Sequence, residues 1–147
     1  MEAAKTVNAD NVQDVTASTN WKAAGNWSKQ TEENYTVYSS KIEDKAITAA
    51  ISEGGMVLAF KKTGNNISAL PAEEKSSENS SFWYYQVSEG NIMILIDVPD
   101  GNTNPAEKSL FNYVVLSGNA IKEIEKKGTT RGDLISVSYD KLKELIK

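Results

Sequence analysis

ITAAISEGGMVLAF, residues 47–60, decides how the rest of the chain is read. Thr48 can open a short helical turn running to Glu53, because its hydroxyl oxygen accepts from a backbone N–H two or three residues on. Ile47 and Ile51 lie one turn apart, the spacing of side chains that pack together. Gly54 is expected to end the turn in the left-handed conformation that a side chain resists. Met56, Leu58 and Phe60 then alternate into a core along a strand. Gly54-Gly55 precedes a strand instead of opening a helix, the reverse of what phosphate cradling needs. The stretch therefore reads as a fold-defining corner, not as a site of chemistry.

Downstream, Gly64-Asn65 fits a tight hairpin whose return strand runs from Ile67 to Leu70 and stops at Pro71, which cannot donate to a ladder. Ala72 to Ser80 reads as a solvated loop. Ser81 to Val87 and Asn91 to Val98 form the next hairpin, turning at Ser88-Glu89-Gly90. Ile92 to Ile96 is apolar at every position, which places that strand centrally with both faces covered. Asp97 to Lys108 is polar loop, and Leu110 to Ser117 is the last strand. Ala120 to Lys127 follows as a short helix with Ile121 and Ile124 on one face. Ser138 caps a terminal helix with a stripe of Tyr139, Leu142 and Ile146.

Upstream, Asn34 to Ser40 alternates with period two and suits a half-buried strand. Lys22 to Glu33 reads as a loop holding Trp27, and Asn11 to Trp21 as an edge strand. Residues 1–10 read as a flexible lead-in, polar and without the apolar centre of a signal segment. The expected architecture is one antiparallel β-sandwich over residues 11–147, with about seven or eight strands, a short helical turn near 48–53 and a C-terminal helix.

Composition narrows the chemistry. A chain of 147 residues buries about two-thirds of its unfolded surface, enough for a core without metal or disulfide. It contains no cysteine and no histidine. That removes thiol nucleophiles, Ser-His-Asp triads, structural zinc sites and histidine-based acid–base catalysis. A net charge of −4 with dispersed lysines argues against a nucleic-acid groove. No apolar segment is long enough to suggest a transmembrane span. No cofactor and no metal is expected.

Trp21, the tyrosine-containing strand at 34–40, ITAAISEGGMVLAF and Ala69-Leu70-Pro71 follow one another in order. FWYYQV (82–87), NIMILI (91–96), LFNYVVL (110–116) and the tyrosine-led helix complete the series. This order resembles a family of exported bacterial proteins, often lipoproteins of Gram-negative species. The resemblance spans about Asn11 to Ile146 and rests on strand and turn residues; Gly118 to Val137 is longer and more charged than the family pattern. It implies a small β-sandwich in the periplasm or on the outer cell surface. The family is uncharacterised, and the function expected here is a non-enzymatic structural or recognition module of unknown ligand, with a glycan or cell-envelope partner as the candidate. The resemblance supplies no catalytic residue.

Four constellations merit weighing. In FWYYQV, Phe82 and Tyr84 face one way and Trp83 and Tyr85 the other, so at least one pair is core. These rings read first as core or interface filler; beside that, Trp83 and Tyr85, with Trp27, are the candidates for an outward set able to stack on a sugar or peptide. Arg131-Gly132-Asp133 matches a cell-attachment tripeptide, but a glycine between charged residues also makes an ordinary turn. Asp100, Asn102 and Asn104 open like a calcium loop, yet its sixth position is Pro105 and its twelfth Phe111, which excludes an EF-hand. Glu53, Glu73, Glu74, Glu89, Asp97 and Glu107 are the carboxylates from which a hydrolase would have to draw its pair, and all but Asp97 fall in expected turns or loops.

Overall fold

The structure is a computed structural model that describes residues 15–17, 20–75, 80–99 and 102–146. The expected lead-in at 1–10 lies outside these residues, as do Asp100 and the first part of the expected edge strand. Two antiparallel sheets carry the fold. One runs in the order β1 (Val15–Ala17), β9 (Ser109–Leu116), β4 (Met56–Thr63), β5 (Asn66–Ala69). The other runs β2 (Ser28–Thr31), β3 (Tyr35–Glu43), β8 (Asn91–Pro99), β7 (Ser80–Ser88), β6 (Ala72–Lys75). The sandwich of the sequence reading is present, and the apolar run at 92–96 is the middle strand of the five-stranded sheet.

β4 explains the layering. Its successive side chains point to opposite faces, and both faces are buried. Leu58 and Phe60 pack with Val114 and Leu116 of β9 against a layer of helices. Val57 and Ala59 pack with Val115 toward Trp83, Ile92, Ile94 and Ile96 of the other sheet. The helical layer comprises α2 (Gly118–Glu125), α3 (Arg131–Ile135) and α4 (Tyr139–Leu145), contributing Ile121, Ile124, Leu134, Leu142 and Leu145. Tyr139 sets its ring edge-to-face on Phe60 and Trp21, at centroid distances of 5.2 and 5.1 Å. The protein is thus three layers, helices on sheet on sheet, where the sequence suggested two layers and a trailing helix.

Nine strands form because two segments read as loops are edge strands. β2 lies within 22–33 and β6 within 72–80, and each pairs along one side only. Ser28, Lys29, Gln30 and Thr31 are all exposed, so no apolar alternation marks them; backbone ladder bonds alone hold such an edge.

Three polar ties fasten the sheets to each other. The Tyr113 hydroxyl donates to Asp44, and burial first, then that carboxylate, raises the phenol's pKa. The Tyr85 hydroxyl donates to the Val57 carbonyl at 2.8 Å, and burial raises its pKa as well. The third is Lys61, only 2% exposed. Its ammonium lies 4.5 Å from the Trp83 ring centroid and pairs with Glu74 of β6.

The corner at 47–60 forms as read, with one correction. α1 (Ala49–Gly54) is capped by Thr48, whose hydroxyl accepts from the Ile51 N–H at 3.3 Å. Gly54 is not left-handed, and a Cβ there would meet nothing within 4 Å. The demanding glycine is Gly55, where a Cβ would stand 2.3 Å from the Leu116 carbonyl oxygen. Close approach of β4 to β9, not a left-handed stop, requires the glycine.

Candidate functional site

Among the described residues, the five-stranded sheet packs one face in the core, and its other face carries the exposed Phe82 and Tyr35 beside the buried Leu95. Within β7 the alternation is strict, so burying one aromatic pair exposes the other. Trp83 is wholly buried; its indole N–H donates to the Ser81 hydroxyl at 2.8 Å, and its ring lies 6.1 Å from Phe111. Tyr85 packs half-buried between the sheets, and Trp27 leans on Phe111 with centroids 6.4 Å apart. Trp83 is core, and Tyr85 and Trp27 are partly buried against it, so these rings follow the packing reading and not that of outward ligand contacts. The largest rings are needed to fill the gap between the sheets.

The outward pair is Phe82 and Tyr84. Their centroids lie 5.4 Å apart with the planes tilted by 30°, so the two rings make one continuous surface. Phe82 is 44% exposed and Tyr35, on β3, 43%. The ladder places other groups around them. Phe82 is in register with Asp97 of β8 on one side and Glu73 of β6 on the other. Asp97 is in turn opposite Val37 of β3, and Tyr84 is opposite Leu95. One row across the sheet therefore reads Val37, Asp97, Phe82, Glu73.

Electrostatics tie the row to its neighbours. The Tyr84 hydroxyl donates to Asp97 Oδ1 at 2.9 Å. Its pKa is pushed up to about 12, first by burial, then by the bond to Asp97 and that residue's charge, with a smaller contribution from Tyr35. The phenol thus stays protonated and keeps donating at all ordinary pH values. Glu73 and Asp97 enter no ion pair among the described residues.

The other constellations resolve into local structure. Thr130 caps α3 in a capping box: its hydroxyl accepts from the Asp133 N–H at 3.0 Å, and its own N–H donates to the Asp133 carboxylate at 3.1 Å. Hydrogen bonding of the carboxylate to the Thr130 backbone N–H first, and to the Thr130 side chain, lowers the Asp133 pKa. Arg131 donates to the Gly54 carbonyl at 3.0 Å. Arg131-Gly132-Asp133 is therefore the first turn of a helix, not the loop turn suggested by Gly132, and both charged ends hold local structure. In the calcium-like stretch, Asn104 accepts from the Ala106 N–H at 2.8 Å and caps a 3-10 turn at Pro105–Lys108. Asp100 and the Glu107 side chain lie outside the described residues. Among those described, no group of three or more acidic residues is placed to hold a metal.

Of the remaining carboxylates, Glu74 is engaged by Lys61, Glu53 lies in the last turn of α1, and Glu89 sits in the β7–β8 turn. Only Glu73 and Asp97 share a face. Their strands are two ladder spacings apart, about 10 Å, and Phe82 occupies the strand between them. The face offers stacking surface and hydrogen-bond acceptors, which is the chemistry of recognition. Comparison with protein-family models, with curated proteins and with solved structures found no match for this chain.

Proposed function

We propose that this protein is a non-enzymatic recognition module of the bacterial cell envelope, exported from the cytoplasm, and that it contacts its ligand through the open face of the five-stranded sheet. The contrast between the two outer sheet faces supports this reading. The four-stranded sheet hides its outer face under three helices, whereas the five-stranded sheet leaves Tyr35 and Phe82 exposed beside Tyr84. Grouped exposed rings with a polar rim are the usual physical sign of a binding surface. A sugar ring or an extended peptide fits such a face, because both present flat or CH-rich surface together with hydrogen-bond donors. Export and envelope residence rest on the resemblance of the strand and turn sequence to exported lipoproteins.

Glycan and peptide arrays probed with the wild type and with the Phe82→Ala/Tyr84→Ala double variant test the surface. Binding that disappears in the double variant, with its thermal unfolding little changed, is the expected result. An array signal that survives the double substitution, or no signal at all, would leave a structural module in its place. Fractionation of the source cells, with the protein recovered from the envelope and not the cytosol, tests export separately.

A further inference from the structure

We infer that the ligand of the open face is a basic peptide segment that lays an arginine guanidinium on Phe82 between Asp97 and Glu73. The inference rests on the recognition reading above and gives it a chemical class.

The argument starts from charge. An exposed ring flanked in register by carboxylates on both neighbouring strands is an anionic, π-faced spot. The face of an aromatic ring carries negative potential and attracts a cation laid over it. A carboxylate beside the ring adds to that attraction, and here there are two. Among the described residues no cation pairs with them: the three ion pairs there join Lys61 to Glu74, Lys126 to Glu123 and Lys143 to Asp140. The lysines nearest in the ladder are Lys75, opposite Ser80, and Lys41, opposite Met93. Lys75 is exposed on the same face two residues from Glu73, and Lys41 lies farther along the sheet; neither forms an ion pair with Glu73 or Asp97.

Geometry selects guanidinium over ammonium. A planar guanidinium can stack flat on Phe82 while its edge donates toward carboxylates on either side, whereas an ammonium is a compact point charge. The Tyr84 hydroxyl already donates to Asp97 Oδ1, holding that carboxylate among the rings. A carboxylate accepts about four hydrogen bonds, so capacity remains for a bidentate guanidinium. The patch also has the extent of a peptide. From Tyr35 on β3 to Glu73 on β6 there are three strand spacings, about 15 Å, which matches about four residues of extended chain. A net charge of −4 for the whole protein favours approach of a basic segment from a distance.

The test is a titration of the intact chain, followed by backbone and aromatic NMR shifts, with an acetylated Gly-Arg-Arg-Gly peptide and with its citrulline counterpart. Citrulline keeps the shape and removes the charge. The expected result is shifts centred on Phe82, Tyr84 and Asp97, with the citrulline peptide bound about tenfold more weakly. Asp97→Asn and Glu73→Gln should each weaken the arginine peptide several-fold, and added salt should weaken it further. Both variants keep side-chain shape and lie on an exposed face, so unchanged thermal unfolding certifies that they fold. Equal affinity for the two peptides, or indifference to both carboxylate variants, overturns the inference. Neutral glycans bound in a Phe82-dependent manner, with no arginine effect, overturn it while leaving the recognition face intact. If neither peptides nor glycans show Phe82-dependent binding, the recognition reading falls as well.

Discussion

The two outer sheet faces are built from similar material and end in opposite states. On the four-stranded sheet, Leu58, Phe60, Val114 and Leu116 face outward and are covered by α2, α3 and α4. On the five-stranded sheet, Val37, Phe82, Tyr84 and Leu95 also face outward, and among the described residues none of them belongs to a core cluster with a helix. The difference lies in where the chain has length to spare. After β9 it still has three capped helices to place, with N-caps at Ser117, Thr130 and Ser138. Around the five-stranded sheet the described connections are short or polar, and the helix among them, α1, packs Ile51 toward the core between the sheets. Residues that touch the same apolar surface thus do stability work on one side and remain available for contact on the other.

The sharpest way to break that comparison is to truncate one ring on each side. Phe60 is fully buried beneath Tyr139, so Phe60→Ala should cost about 3–5 kcal/mol through lost burial and an unfilled cavity. Phe82 is 44% exposed and its ring partner is the half-buried Tyr84, so Phe82→Ala should cost no more than about 1 kcal/mol. Urea titration of both variants measures the gap. Equal losses would mean that the open face is as much a core as the covered one.

Next in size is the seam beneath the helices. Gly55→Ala sets a Cβ against the Leu116 carbonyl, backbone against backbone, with no rotamer available as an escape. About 3 kcal/mol or more should be lost. Gly54→Ala, one residue earlier at the end of α1 and in open space, should be neutral or stabilising by up to about 1 kcal/mol. Melting temperatures of the two variants decide between close approach and a left-handed stop as the role of this glycine pair.

A smaller effect is expected where the open sheet is clipped to the covered one. Lys61 leaves β4, lies along Trp83 and reaches Glu74 on β6. Glu74→Gln strands a lysine whose side chain is 3% exposed, and such a loss costs about 3–5 kcal/mol when both partners are buried. Glu74 is 41% exposed, so solvent screening reduces the expectation to about 1–2 kcal/mol. Lys61→Met removes the buried charge, keeps the apolar stem and lets Glu74 hydrate, so it should cost less than Glu74→Gln. The reverse order in denaturant titrations would mean that stacking on Trp83, not the pair, holds β6.

Much of this was legible in the residues, and the gaps have physical causes. β3, β4, β7, β8 and β9 announce themselves because their alternation or continuous apolarity records which faces are buried. β2 and β6 do not: Ser-Lys-Gln-Thr is exposed throughout, and Ala-Glu-Glu-Lys turns only the small Ala72 and the charged Glu74 inward. α3 carried a signal in Thr130 and Asp133, three apart as a capping box requires, which the neighbouring Arg-Gly-Asp obscured. The aromatic face was half legible. Alternation divides 82–87 into two pairs but does not say which points out. The hairpin could have decided it: a turn that sets Ser88 opposite Asn91 sets Phe82 opposite Asp97 and Trp83 opposite Ile96. A charged residue marks the solvent side, so Phe82 and Tyr84 go with Asp97. Lys61 had no such signal, because its burial depends on Trp83 and Glu74 arriving from the other sheet.

The finest distinction concerns the open face itself, and it turns on a proton. Tyr84 differs from a freely solvated tyrosine in holding Asp97 Oδ1, with its pKa pushed up to about 12 against about 10 in an unfolded chain. A folded-state pKa above the unfolded value means that the linked stability is fully present below about pH 10. It fades as pH rises through about 12. The effect is small because Tyr84 is only partly covered and water screens the phenol–carboxylate interaction. Phenolate absorbance followed against pH should show late-titrating tyrosines, Tyr85 and Tyr113 among them, of which Tyr84→Phe removes one. Asp97→Asn should bring it down only part of the way, because burial is the larger cause and persists in the variant. A titration that Asp97→Asn leaves untouched would mean that the carboxylate is not held by the ring. Asp97 would then be a plain surface charge, and the open face would lose the ordered anion that sets it apart from a bare apolar patch.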